Sequence, residues 1–224
     1  MMTDISKAII EVRTSKNELP IPVVNGVHLH SMYNPKKEAD SFADKNLELL
    51  KEKKKILVLG VGFAYHLESL LDRMNKLNTN KNNHIIVIDP SAALFEECRK
   101  NNRLVNSFQI EYICGVDINK LFSNQYFINF LLENPGVIAH PASFNLNKGY
   151  FSSFLDYTAS TYIEDIHDNI IGEDLKAYVK SSGQNQWHEF ADSVFASGSI
   201  KHSNDYLVMA LKNFNFAQNG EINE

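Results

Sequence analysis

The chain has 224 residues, 44% of them hydrophobic, and a formal net charge of -5. That length suffices for one α/β core with an appendage. The negative balance argues against a broad nucleic-acid-binding face, so no nucleic-acid partner is expected. Its 2 cysteines, Cys98 and Cys114, lack metal-type spacing and read as buried or incidental thiols in a reducing compartment. Met1 to Ser6 open without the apolar stretch of a signal peptide, and no apolar run approaches membrane-spanning length. The expectation is a cytoplasmic protein with no membrane partner.

In chain order, residues 1–34 read as a β meander packed on the core. Two β-type runs, Ala8 to Val12 and Pro22 to Leu29, flank a polar link from Thr14 to Glu18. Asn34 can then cap a helix whose first turn holds Pro35. Ala39, Phe42, Ala43, Leu47 and Leu50 recur at helical spacing and give that helix one apolar face. Lys51, Lys53, Lys54 and Lys55 close it, where positive charge complements the helix dipole and faces solvent.

Residues 35–148 alternate strands and helices. Ile56 to Leu59 is an apolar run ending in Gly60-Val61-Gly62, followed by an amphipathic helix from Ala64 to Leu77 using Leu67, Leu70, Leu71 and Met74. A polar loop spans Asn78 to Asn83. Further strands are expected at His84 to Ile88, Ile110 to Cys114 and Val137 to His140. Helices are expected at Ala92 to Asn101 and Ile118 to Glu133. This alternation predicts an α/β fold, a Rossmann-like, mostly parallel sheet with the N-terminal β meander and a C-terminal helical appendage. The appendage is assigned to 149–224. Phe151, Phe154, Leu155, Thr158, Tyr162, Ile166 and Ile170 suggest one long helix, and shorter helices follow to Phe195. Asp205 to Phe216 is amphipathic, with Phe214 and Phe216 expected to dock on the core in preference to a partner or a further domain.

The glycine turn locates a site at the strand ends. Gly60 and Gly62 let backbone N–H groups approach a phosphate or carboxylate. Asp89, ending the second strand, is placed for a ribose or sugar hydroxyl, or to cap the next helix together with Ser91. Tyr65 stands where a dinucleotide fingerprint needs its third glycine, which argues against nicotinamide or flavin. Val58 stands where a methyltransferase usually has an acid, which weakens S-adenosylmethionine (SAM). Asp117 reads as a cap, or as a contact to an adenine amine. Tyr65 and His66 would wall the pocket and His140 would face it, with His28 and His30 as a further cluster. No carboxylate pair, nucleophile elbow or H-E-x-x-H pattern accompanies them, and linear spacing suggests no metal site.

Several segments together resemble one family. Leu29-His30-Ser31-Met32-Tyr33-Asn34-Pro35-Lys36-Lys37-Glu38-Ala39 is similar to the L-H-S-x-Y-[DN]-P-x-x-E-A signature of motility accessory factor (Maf) glycosyltransferases and their 6-hydroxymethylpterin diphosphokinase-like relatives. Ile56 to His66 resembles the family's I-L-V-L-G-x-G-x-G-Y-H run, with Ala64 as the third small residue. Ile86 to Ser91 resembles I-V-I-E-P-[DS], and Val137 to Pro141 resembles V-x-x-H-P. The likeness covers roughly residues 8 to 195. It implies the N-terminal Rossmann-like domain of such a protein. Family members continue into a second domain, opening with G-[AS]-G-P-S-L, that transfers nonulosonic sugars from CMP-activated donors to flagellin Ser/Thr. No such segment follows residue 195 here. The implied role is ligand binding or scaffolding in flagellin-type protein glycosylation. Its implied partners are a catalytic glycosyltransferase domain or an acceptor protein; the ligand stays open between a nucleotide sugar and SAM. The alternative from the residues themselves is a SAM-dependent methyltransferase using Gly60, Gly62, Asp89 and Asp117. A third reading is a Rossmann scaffold whose crevice is filled by its own side chains.

Overall fold

A computed structural model describes residues 8–77, 82–167 and 172–219. Met1 to Ser6, most of the Asn78 to Asn83 loop, Ile170, and the side chains of Ile166, Phe214 and Phe216 lie outside the described residues. The chain divides into two compact units, Met1–Tyr157 and Thr158–Glu224.

The first unit opens with three antiparallel strands, β1 (Ile10–Thr14), β2 (Pro20–Val24) and β3 (Val27–His28). The run expected as one strand from Pro22 to Leu29 is instead folded in two. Asn25 and Gly26 both adopt positive φ (50° and 80°), the two-residue turn whose twist suits a hairpin. Ile21, Val24 and Leu29 carry this meander into the main core.

Next come α1 (Pro35–Lys45) and α2 (Leu47–Glu52). Asn34 caps α1, its side chain accepting from Lys37 N, and Pro35 takes the first turn as expected. Asn46 divides the single expected helix.

The core then runs β4 (Lys55–Leu59), α3 (Tyr65–Leu77), β5 (His84–Asp89), α4 (Ala92–Lys100), β6 (Ile110–Cys114), α5 (Ile118–Phe122), α6 (Gln125–Leu132), β7 (Gly136–Ala139), α7 (Pro141–Leu146) and α8 (Lys148–Leu155). One long helix was expected from Ile118 to Glu133. It breaks because the Asn124 side chain accepts from Tyr126 N and Phe127 N, starting α6 afresh. The four-stranded sheet has the order β6-β5-β4-β7 and is parallel at every pairing. This is the α/β, Rossmann-like arrangement the sequence predicts.

Both faces of this sheet are covered, which is why its strands read as unbroken apolar runs. Ile56, Val58, Ile85 and Val87 enter one cluster with α1 and α3 residues. Leu57, Leu59, Ile86 and Ile88 enter a second with Phe127, Phe130, Phe151 and Phe154. Phe151 and Phe154 therefore place α8 in the first unit, and the compact unit extends past the expected boundary at residue 148 to Tyr157. The long helix expected across Phe151 to Ile170 stops at Leu155.

The second unit holds α9 (Ile163–His167), α10 (Glu173–Ser181), α11 (Trp187–Ala196) and α12 (Asp205–Asn219). Ile163, Val179, Phe190, Ala191 and Val208 form its small core. The Tyr178 hydroxyl donates to Asp205, which also accepts from Lys201 N and His202 N and so fixes the approach to α12. Among the described residues, no helix is long and apolar enough to cross a membrane.

The Asn34 cap is open to test. Asn34→Ala removes the acceptor for Lys37 N and is expected to cost about 1 kcal/mol in urea unfolding, whereas Asn34→Asp keeps most of it.

Candidate functional site

In a parallel sheet with this order, strand connections diverge on either side of β4, so a crevice belongs between the C-terminal ends of β4 and β7. The glycine turn leaves β4 there, and His140 follows β7, its N–H bonding to Leu59 O (3.0 Å). The structure closes this place with the protein's own side chains. At Gly60 (φ +107°) an added Cβ would lie 2.3 Å from Ser143 Cβ, and at Gly62 (φ +48°) one would lie 2.6 Å from His30 Nε2. Glycine is needed at both positions for backbone conformation and for room.

Four of the turn's N–H groups are engaged internally. Gly60 N donates to Ile88 O, Val61 N to Asp89 Oδ2 (2.9 Å), Phe63 N to His30 Nε2 (2.8 Å) and Ala64 N to Val61 O. These four are not open to a phosphate. Ala64 itself sits at φ +57°, the conformation that explains why a glycine-like residue suits this position.

Asp89 is fully buried and its second oxygen accepts from Ser91 N (2.9 Å). Both oxygens thus face backbone amides rather than a ribose. Burial pushes its pKa up to about 6, against the two amide bonds that favour the charged form. Ser91 caps α4, accepting from Leu94 N, and Asp117 caps α5, accepting from Asn119 N (2.9 Å) while exposed to solvent. Neither shares the histidine site. Tyr65 is spent elsewhere: its hydroxyl donates to Pro20 O (2.8 Å), and Arg103 lies over its ring at 3.9 Å.

What the fold assembles is a group of three buried imidazoles. His30 follows β3, His66 opens α3 and His140 precedes α7. One potential ligand atom from each lies within 4.8 Å of the others. The rings of His66 and His140 stack at 4.3 Å between centroids, and His30 is tilted against His140 at 4.9 Å. His66 Nε2 must carry its proton, because its partner is the carbonyl of Gly60 (3.0 Å), which only accepts. His66 Nδ1 is buried with no partner among the described residues. His30 Nε2 accepts from Phe63 N, so its proton is on Nδ1, facing Glu38 Oε2 at 3.8 Å. His140 Nδ1 bonds Ser143 Oγ (2.8 Å).

Burial is the main cause holding all three in the neutral form. It takes His66 down to about 3 and His140 well below its ordinary value. His30 is lowered too, though Glu38 opposes the shift. Pairwise spacing along the chain carried no metal signal. The three ring nitrogens nonetheless suit a transition metal better than a hard cation. His66 and His140, expected to line an open pocket, instead meet each other and His30 in a closed one, and His28 does not join them.

No family model matches the chain, and no curated protein matches it. Among solved structures, spermidine synthase from Thermotoga maritima is similar at 14% identity and a TM-score of 0.41, covering 54% of this chain and 40% of that one. MnmC2 from Aquifex aeolicus is similar at 15% identity and a TM-score of 0.34, covering 53% of this chain and 46% of that one. The chain thus spans less than half the length of either. Both are Rossmann-like, neither is a Maf-type protein, and likeness this partial carries no activity across.

Two outcomes follow for the closed turn and its histidines. Gly60→Ala drives a Cβ into Ser143 at a strained φ and is expected to cost about 3 kcal/mol or more, part of it recovered in a Gly60→Ala/Ser143→Gly double variant. The pH dependence has a defined sign in chelator-treated protein. Unfolded histidines protonate near 6.5 while the three buried ones do not, so stability is lost as pH falls through 6.5. Asp89 acts oppositely: its raised pKa means its burial penalty is relieved as pH falls through about 6. Three groups act against one, so the urea unfolding free energy should fall as pH drops below 6.5. A flat profile between pH 7 and 5 would contradict the neutral, buried assignment.

Proposed function

We propose that residues 8–157 form a scaffolding module of a Maf-type protein-glycosylation system, docking a catalytic glycosyltransferase domain or the acceptor protein. One observation carries this reading. The three histidine-bearing segments of the family resemblance, Leu29-His30-Ser31, Gly60 to His66 and His140-Pro141, are far apart in sequence and meet at one buried point. A resemblance made of unrelated local coincidences gives no reason for its motifs to converge. The filled crevice favours scaffolding over donor recognition, since Ser143 and His140 occupy the space above Gly60.

Methyl transfer from SAM is the competing use of the same fold. It needs an acid at the end of β5 free to meet a ribose, and Asp89 instead has both oxygens on Val61 and Ser91 amides. Isothermal titration separates the readings. S-adenosylhomocysteine, CMP and CMP-sialic acid are each expected to give no saturable heat. The chain is expected to co-elute with a separately produced Maf-type domain bearing G-[AS]-G-P-S-L, or with a flagellin-type acceptor. Saturable S-adenosylhomocysteine binding would restore the methyltransferase, and saturable CMP-sialic acid binding would replace scaffolding with donor recognition.

A further inference from the structure

The geometry points to a transition-metal site, of the Zn2+ class, held by His30, His66 and His140. It does not depend on the glycosylation reading. It rests on four features of the cluster taken together.

The donors come first. Three imidazoles meet from three separate segments, with one ring nitrogen of each inside a 4.8 Å span. An all-imidazole set suits zinc, copper, nickel or iron and is wrong for magnesium or calcium, which prefer oxygen. Burial comes second. His30, His66 and His140 are all buried, so an ion held among them is shielded from bulk water.

The third feature is the orphan atom. His66 Nδ1 is buried and unpartnered among the described residues, while the same ring donates from Nε2 to Gly60 O. A buried acceptor with no donor is destabilising, and a bound ion is one of the standard reasons such an atom persists. The fourth is the arrangement behind the rings. Metal-bound histidines usually have their other nitrogen held by a carbonyl, carboxylate or hydroxyl. Here Gly60 O holds His66, the Glu38 carboxylate faces His30 Nδ1, and Ser143 Oγ meets His140 Nδ1. Each outer contact leaves the inner nitrogen as the ligand.

Two adjustments accompany binding. Phe63 N–H bonds the inner nitrogen of His30 and must release it. A tetrahedral ion with metal–nitrogen bonds near 2.0–2.1 Å holds its ligands about 3.3 Å apart, so the rings draw together. Gly62 leaves the room for this, because a side chain there would meet His30 and His140.

The test uses the untagged full chain, stripped with a chelator and titrated with Co2+ and then Zn2+. One equivalent of Co2+ is expected to produce the visible absorption of a four-coordinate site, and one equivalent of Zn2+ to bleach it and raise the Tm. His30→Gln and His140→Gln should each weaken binding by about 100-fold or more, whereas His188→Asn should leave it unchanged. A variant-free readout guards against misfolding: imidazole NMR signals of His30, His66 and His140 should shift with Zn2+ while those of His188 and His202 stay. Absence of a Co2+ spectrum, shifts confined to exposed histidines, or unchanged binding in a folded His140→Gln variant would each overturn the site.

Discussion

The hydrogen bonds that tie the turn after β4 to three other segments hold the functional end of the sheet together. Val61 N reaches Asp89 at the end of β5, Phe63 N reaches His30 beyond β3, and Gly60 O accepts from His66 in α3. Buried backbone amides must find partners somewhere, and in a nucleotide-binding Rossmann turn a phosphate or ribose takes part of that demand. Here the Asp89 and His30 side chains meet part of it. The same bonds bear on their partners: the two amides facing Asp89 oppose the effect of its burial, and Phe63 N, by occupying His30 Nε2, sets the proton of that buried, neutral ring on Nδ1.

That arrangement also explains how the N-terminal meander is fastened. Leu29 enters the main cluster next to His30, and Tyr65, immediately before His66, sends its hydroxyl to Pro20 O in β2. The residue that spoils the dinucleotide fingerprint is thus the one that links helix α3 to the small sheet. Arg103 covers the other face of the same ring and pairs with Glu68 at 3.2 Å. Loss of a third glycine and gain of an inter-sheet tie are one structural fact.

Much of the fold is legible because parallel strands buried on both faces leave long apolar runs, and β4 and β5 have them. Caps at Asn34, Ser91 and Asp117 are equally visible, since each polar residue directly precedes its helix. The breaks are less so. Asn46 and Asn124 interrupt apolar patterns that otherwise continue, and an asparagine inside a helical pattern gives no unique sign that it starts a new helix. The histidine cluster is the hardest part. His30, His66 and His140 are separated by whole elements: the sheet order, which sets β7 beside β4, brings His140 to His66, and the N-terminal meander delivers His30 to Phe63 N in the turn. A spacing rule built for ligands on one helix or hairpin has no purchase on such a set.

Helix α7 controls whether this end of the sheet can ever open. Its first residue, Pro141, has a fixed φ and no N–H to lose, so the helix starts at once after β7, and His140 N is anchored to Leu59 O. Ser143, one turn in, is therefore set directly over Gly60. Clearing the crevice would require parting Ser143 from His140 Nδ1 and shifting α7 away from β4, which also disturbs the Phe144–Phe151 stack (5.4 Å) in the second core cluster. Opening for a nucleotide is thereby coupled to repacking hydrophobic residues on the opposite side of the sheet. An ion drawn between the imidazoles would work in the reverse sense, pulling His140 toward His66 and fixing α7 over the turn. A metal and a nucleotide would oppose each other at this crevice, and the contacts of Ser143 and His140 already favour the closed form.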